Sequence, residues 1–229
     1  MMKKNIIGLM AFLFAASLCT ACGDGNESEE SGVATDGKVV GKIQIIERNA
    51  DGYTYKLIGH VTDEVDQLEV IGYKVDLETE ESDEVSLGKQ KVTNGRFSFV
   101  LNTPPSECLY TLADDLKGRE VELSDKSVKY GDITIKLLKN GEPVGTLRRL
   151  SINQQVGANI CYVDRDASIT GIETIHDEAN DCTYHFEYDV KYKKGWNTLV
   201  SDQLKEDKTI TRKYTTNNEP DDSIWGVEW

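Results

Sequence analysis

The sequence lacks most of the features by which a function announces itself. After Leu18 it has no long apolar run, which excludes a polytopic membrane protein needing repeated runs of about 18 residues or more. It lacks a basic excess: 26 Lys and Arg stand against 40 Asp and Glu, a net charge of -14. Such a surface repels phosphate backbones, so no nucleic-acid partner is expected. Gly-x-Ser-x-Gly, His-Glu-x-x-His and phosphate-cradling glycine loops are all missing. So is Cys-x-x-Cys, and no histidine stands in ligand spacing to a cysteine pair. The loop of Asp164, Asp166 and Ser168 fails as a calcium site, because Ile169 replaces the required glycine and Ile175 the bidentate glutamate. No metal and no cofactor are therefore expected. Hydrophobic residues make up 38% of the chain, enough to bury a core, so the bulk is not disordered.

The first residues carry an address. Lys3 and Lys4 form a basic start, and residues 6–18 are apolar or small without charge, the length of a signal-peptide core and too short to span a bilayer. The run ends in Leu18-Cys19-Thr20-Ala21-Cys22, which resembles a bacterial lipoprotein box. The resemblance makes Cys22 the lipidated N-terminus of the mature chain, its thiol taking a diacylglyceryl group as a thioether. Cys19 stands where leucine is usual. Residues 1–21 are then the signal peptide. Residues 22–37 are a Gly-, Ser- and acid-rich stretch with Val33 as its first branched apolar residue, expected to be a solvated tether. An acidic run directly after the acylated cysteine also resembles the export signal of surface lipoproteins in Bacteroidota. It implies an outer-membrane lipoprotein facing the cell surface, with the membrane as a partner through the anchor.

From Lys38 onward the hydrophobic period is two, so the fold class is all-β. Tyr53, Tyr55, Leu57 and Val61 are expected on one face, and Ile71, Tyr73, Val75 and Leu77 on another. Asn94-Gly95 and Asn140-Gly141 read as hairpin turns, since both residue types accept positive φ. Pro104-Pro105 offers no amide to a ladder and is taken as a boundary. The expected architecture is an antiparallel β-sandwich of two sandwich-like units, an N-terminal domain at residues 38–103 and a C-terminal β domain at 104–229. A helix is expected over residues 106–116, capped by Ser106, with Leu109, Leu112 and Leu116 at helical spacing.

Three cysteines remain after Cys22. Export permits a disulfide, and Cys161 and Cys182 are expected in neighbouring strands, a candidate bridge worth about 3 kcal/mol. The competing reading is three separate buried thiols, with Cys108 among them. Tyr184, Phe186, Tyr188, Val190 and Tyr192 share one face of a strand, and Trp196 follows. Aromatic faces stack on sugars, so Tyr184, Tyr188, Tyr192 and Trp196 form a candidate ligand platform; the same pattern also describes the edge of a core. His176, Asp177, Glu178 and Asp181 form an acidic loop with the ligand types of a divalent-cation site, but such loops are expected in any chain this negative.

Lys193-Lys194-Gly195-Trp196-Asn197, then Tyr214-Thr215-Thr216 and the terminal strand with Trp225 and Trp229, resemble uncharacterised β-rich lipoproteins of gut Bacteroidota. Thr103-Pro104-Pro105 and Ser124-Asp125-Lys126 resemble the same group. That resemblance implies a secreted β lipoprotein and no chemistry. The expected function is a non-catalytic envelope protein that binds a glycan or a partner protein. The alternatives are a fimbrial-type assembly subunit, with an open edge strand, and a hydrolase with two acids about 5–10 Å apart in a cleft.

Overall fold

The alternation of apolar and polar residues is realised as sixteen strands in a computed structural model, which describes residues 32–33, 36–49, 55–76, 79, 81–152 and 155–229. Cys22, the expected signal peptide at residues 1–21 and most of the acidic stretch lie outside the described residues. In chain order the strands begin with β1 Gly32–Val33, β2 Lys38–Arg48, β3 Tyr55–His60, β4 Gln67–Asp76, β5 Glu81–Lys91 and β6 Arg96–Val100. A 3-10 turn at Ser106–Cys108, β7 Tyr110–Thr111 and the one-turn helix α1 Leu112–Asp115 come next. The chain continues through β8 Val121–Leu123, β9 Lys129–Lys139, β10 Glu142–Ser151, β11 Val156–Val163 and β12 Ala167–Asp177. It ends with β13 Cys182–Tyr192, β14 Gly195–Glu206, β15 Thr209–Thr216 and β16 Ser223–Val227.

The main path of pairing runs β1-β2-β16-β10-β9-β11-β14-β15-β13-β12-β8. Long strands change partners along their length. In β9, residues 130–132 pair with β11, while residues 135–139 pair with β10 and residues 133–138 pair with β4 on the other side. Most pairing is antiparallel, as the sequence suggests. Two pairs, β13 with β15 and β16 with β2, are parallel. Asn140-Gly141 turns β9 into β10 as expected, with both residues at positive φ. Asn94 and Gly95 also take positive φ, but the turn joins only a Thr93–Arg96 bridge: β5 pairs with β4, and β6 with β2.

Two principal cores result. The first gathers Val39, Ile43, Phe97, Ile135, Leu137, Tyr162, Trp196 and Trp225. The second gathers Leu112, Tyr130, Cys161, Val163, Phe186, Tyr188, Tyr192, Leu199 and Tyr214. β11 and β14 are the wall between them. Tyr162 and Trp196 face one core, and Cys161, Val163 and Leu199 face the other. That is why Ile160-Cys161-Tyr162-Val163 runs apolar without alternating: both faces are buried.

Four expectations are corrected. The boundary at Pro104-Pro105 does not divide two bodies, because β2 pairs with β16 and β4 with β9 across it, and the first core draws on both sides. The prolines interrupt a ladder inside a connection, and the real division is the β11/β14 wall. The helix over residues 106–116 is broken, since Tyr110 and Thr111 are drawn into pairing with β9 and leave only one turn of α-helix. Ser106 makes no cap, as it opens a 3-10 turn whose N-cap position is Pro105. Finally, the acidic stretch does not remain a tether to residue 37: Gly32 and Val33 pair with Val40 and Val39, and Gly37 is buried. The face assignment in β3 also fails, for Tyr55 is buried while Leu57 is 49% exposed.

Candidate functional site

The alternation along β13 places Phe186, Tyr188, Val190 and Tyr192 on one buried face, with Tyr184 half-buried at the end. These residues are not an exposed platform. Tyr188 is 7% exposed and Tyr192 3%, because α1 and the turn after it lie over this face of the sheet. Trp196 does not join them. It is 3% exposed in the other core, edge-on to Tyr162 with ring centres 5.4 Å apart. The expected quartet is therefore split by the wall between the cores, and the platform is corrected to an interior aromatic face.

What that face encloses is more informative. Tyr188 and Tyr214 stack with centres 5.1 Å apart and 16° between planes, and Phe186 and Tyr184 extend the row. Between this row and α1 lies a cavity of about 20 Å³, room for about one water. Leu112, Asp115, Leu116 and Arg119 form its roof, and Tyr130, Tyr188, Tyr192 and Tyr214 line the other side. Arg119 reaches down from the turn. Its Nη1 donates to the Tyr188 hydroxyl at 3.2 Å and pairs with Glu173 Oε2 at 3.4 Å.

Buried titratable groups crowd beside this cavity. Asp115 Oδ2 is buried without a hydrogen-bond partner. Burial raises the Asp115 carboxyl above its ordinary range, opposed by Arg119 and reinforced by Asp132. Asp132 stands opposite Cys161 across β9 and β11, and burial raises its carboxyl too, although its own backbone amide donates to it. The Tyr188 hydroxyl is pushed up to about 12, chiefly by burial, and Tyr130 and Tyr192 lie well above their usual value for the same reason. The sequence carried one signal for Asp115, which lies three residues after Leu112 and one before Leu116, on the side of the short helix that faces inward. Arg119, Glu173 and Asp132 had none.

A second opening lies where β10 leaves β9 for β11. This gap of about 80 Å³ is lined by Asp132, Thr134, Arg148, Arg149 and Asn159 among others. Arg149 is already engaged there: its Nε donates to Glu219 at 2.6 Å, its Nη1 to the Ser223 carbonyl at 2.8 Å, and its guanidinium lies over Trp225.

The candidate bridge between Cys161 and Cys182 is also corrected. Both thiols and Cys108 are free. β14 and β15 lie between β11 and β13, and Cys161 pairs with Asn197 at one end of β14 while Cys182 lies near the Glu206 end. The two are far beyond the Cα separation of about 7 Å that a disulfide tolerates. The Cys161 thiol instead donates to the Asn197 carbonyl at 3.7 Å. His176 and His185 bond to Thr183 and Thr174, and among the described residues no group of three or more His, Cys, Asp or Glu is placed to hold a metal. Asp177 turns its carboxylate onto the Ala179 and Asn180 amides, the work of a tight turn.

No protein-family model matches the chain, and no curated protein and no solved structure matches it either. Among the described residues no helix is long and apolar enough to cross a membrane.

Proposed function

We propose that the chain is a non-catalytic lipoprotein, held by acylated Cys22 on the outer membrane and facing the cell surface, that binds a glycan or a partner protein. The lipoprotein box and the acidic run after it support the location. The observation that carries the binding half is the cavity beneath α1, where stacked tyrosine rings, an arginine and an unpartnered carboxyl oxygen converge. Apolar walls with a few convergent polar groups are the usual make-up of a small-ligand site. A glycan fits that chemistry, its C–H faces against rings and its hydroxyls toward oxygen acceptors.

The alternatives find less support. A hydrolase needs two acids facing one cleft, and the two carboxyls raised by burial do not share an opening: Asp115 lines the small cavity beneath α1 and Asp132 the gap beside β10. An assembly subunit would offer an open edge such as β5, which pairs only with β4. That edge carries a bulge near Gly88 and a row of charges including Glu81, Asp83, Lys89 and Lys91, both of which oppose strand addition.

Two experiments test the reading. Labelled palmitate is expected to enter the wild-type product and not a Cys22→Ala variant; equal labelling of both removes the anchor. A glycan array with a crosslinking pull-down on the mature chain is expected to return a ligand, and an empty array with no crosslinked partner removes the binding function.

A further inference from the structure

We propose that the segment 112–120 is a lid over the tyrosine-walled pocket, latched by Arg119, and that its opening admits the terminal residue of a neutral glycan. The inference rests on the binding reading above and names where and how that binding occurs.

The segment has the construction of a movable cover. It contains one turn of helix, and the amides of Leu116, Lys117 and Arg119 bond to Leu112, Asp114 and Leu116 within the segment itself. Backbone satisfied internally moves without breaking a ladder, which marks the low-stability end of a structure. Its ends are fixed, by the Leu112 amide on the Val128 carbonyl and by β8 on β12. Gly118 sits at φ +86 with open space where a Cβ would point, so it can absorb a change of backbone angle.

What holds the segment down is polar and local. Arg119 is its only cation that reaches the floor among the described contacts, through Tyr188 on β13 and Glu173 on β12. Leu112 and Leu116 add apolar contact from the same side.

The closed state is also incomplete. Asp115 Oδ2 is removed from water and given no donor. An orphaned buried acceptor is costly, and a ligand hydroxyl is the group that would satisfy it. The other neighbours set the charge of that ligand. Arg119, the cation in the pocket lining, is already neutralised by Glu173, so an anion finds no free positive charge there. The flat stacked faces of Tyr188 and Tyr214 suit a sugar ring. A cavity of about 20 Å³ cannot take such a ring, so binding requires the lid to lift.

The test is amide hydrogen exchange on the acylated full chain in detergent micelles. Arg119→Ala is expected to speed exchange of the Leu116, Lys117 and Arg119-position amides on the order of tenfold, with β13 and β15 unchanged. Glu173→Gln, which keeps its shape, should give a smaller increase at the same amides. Unchanged exchange in both variants, or an equal rise throughout β13 and β15, overturns the lid. A printed array of neutral glycans separates the two layers of the argument. Faster capture by Glu173→Gln, a residue outside the pocket lining, than by wild type supports lid-gated entry, and equal or slower capture overturns it. If exchange rises at the lid but neither protein captures a glycan, the lid stands and the glycan reading fails.

Discussion

The Asn217 side-chain amide donates to Asn197 Oδ1 at 3.1 Å, and this bond closes the point where β15 is threaded between β13 and β14. β13 and β14 are joined by two residues yet are not neighbours, so the ladder has an end to seal there. Asn197 accepts from the Lys193 amide and donates to the Lys193 and Gly195 carbonyls, while Asn217 Oδ1 takes the Thr198 amide. Asn217 does this from φ +53, a conformation asparagine tolerates better than most residues. The Lys193-Lys194-Gly195-Trp196-Asn197 motif is thus a sealing device.

Asn197→Ala should lower stability by at least about 2 kcal/mol, because it strands several buried donors and acceptors at once. The exposed neighbour Asn218→Ala should change it by less than about 0.5 kcal/mol. Urea unfolding of the two variants checks the contrast. Equal effects would mean that the network does not hold the crossing.

Trp225 and Gly41 are predicted to be coupled. The Trp225 indole N–H donates to the Val40 carbonyl at 3.0 Å, and Phe97 meets the ring edge-on. A Cβ on residue 41 would lie 2.2 Å from Trp225 Cδ1. Gly41→Ala should therefore cost about 1–3 kcal/mol by overpacking. Combined with Trp225→Phe, whose smaller ring leaves room, the loss should be less than the sum of the two singles. A double-mutant cycle measures that coupling, and strict additivity would show that the contact relaxes some other way.

How far the sequence revealed this molecule follows from which signals are local. Period-two alternation marked strands such as β4 and β13, and Asn140-Gly141 marked its hairpin because turn geometry depends on its own residues. Pairing between distant strands is not local. Nothing in Cys161 or Cys182 tells that β14 and β15 will come between them, and nothing in Pro104-Pro105 tells that β2 will find β16. The aromatic face of β13 was legible, but whether it meets solvent depended on the segment 112–120, whose leucine spacing suggested a longer helix. Asp132 and Arg119 acquire meaning only through what the topology sets beside them.

Asp132 gives a pH-dependent prediction. Burial makes the folded chain hold protons on Asp132 and Asp115 more tightly than an unfolded chain does. Their contribution is fully present below the unfolded carboxylate range, near pH 4, and is lost as pH rises through the raised values. Asp132→Asn keeps the shape but cannot ionise. Relative to wild type, it should gain stability as pH rises from about 4 to 7. The surface carboxylates Asp125, Asp164, Asp166 and Asp177, exposed or partly covered, are held low by hydrogen bonds and act in the opposite direction, so the quantity to follow is the difference between the two proteins. A difference that stays flat from pH 4 to 7 would place the Asp132 charge in water.

The thiols give the last prediction. Cys161 lies at the wall between the cores, and burial holds its thiol far from the reactive thiolate form. Cys108 is buried beneath Gly72, with its sulfur 3.2 Å from where a Cβ at that glycine would stand. Cys182 is only partly covered, at the start of β13. In the folded mature chain, a thiol reagent such as Ellman's should therefore modify Cys182 first and leave Cys161 and Cys108 untouched. After unfolding in denaturant without reductant, all three should react, while an acylated Cys22 stays silent as a thioether. Only one titratable thiol after unfolding would reveal a bridge, and since Cys161 and Cys182 stand on strands kept apart by two others, the strand order of the second core would then be wrong as well.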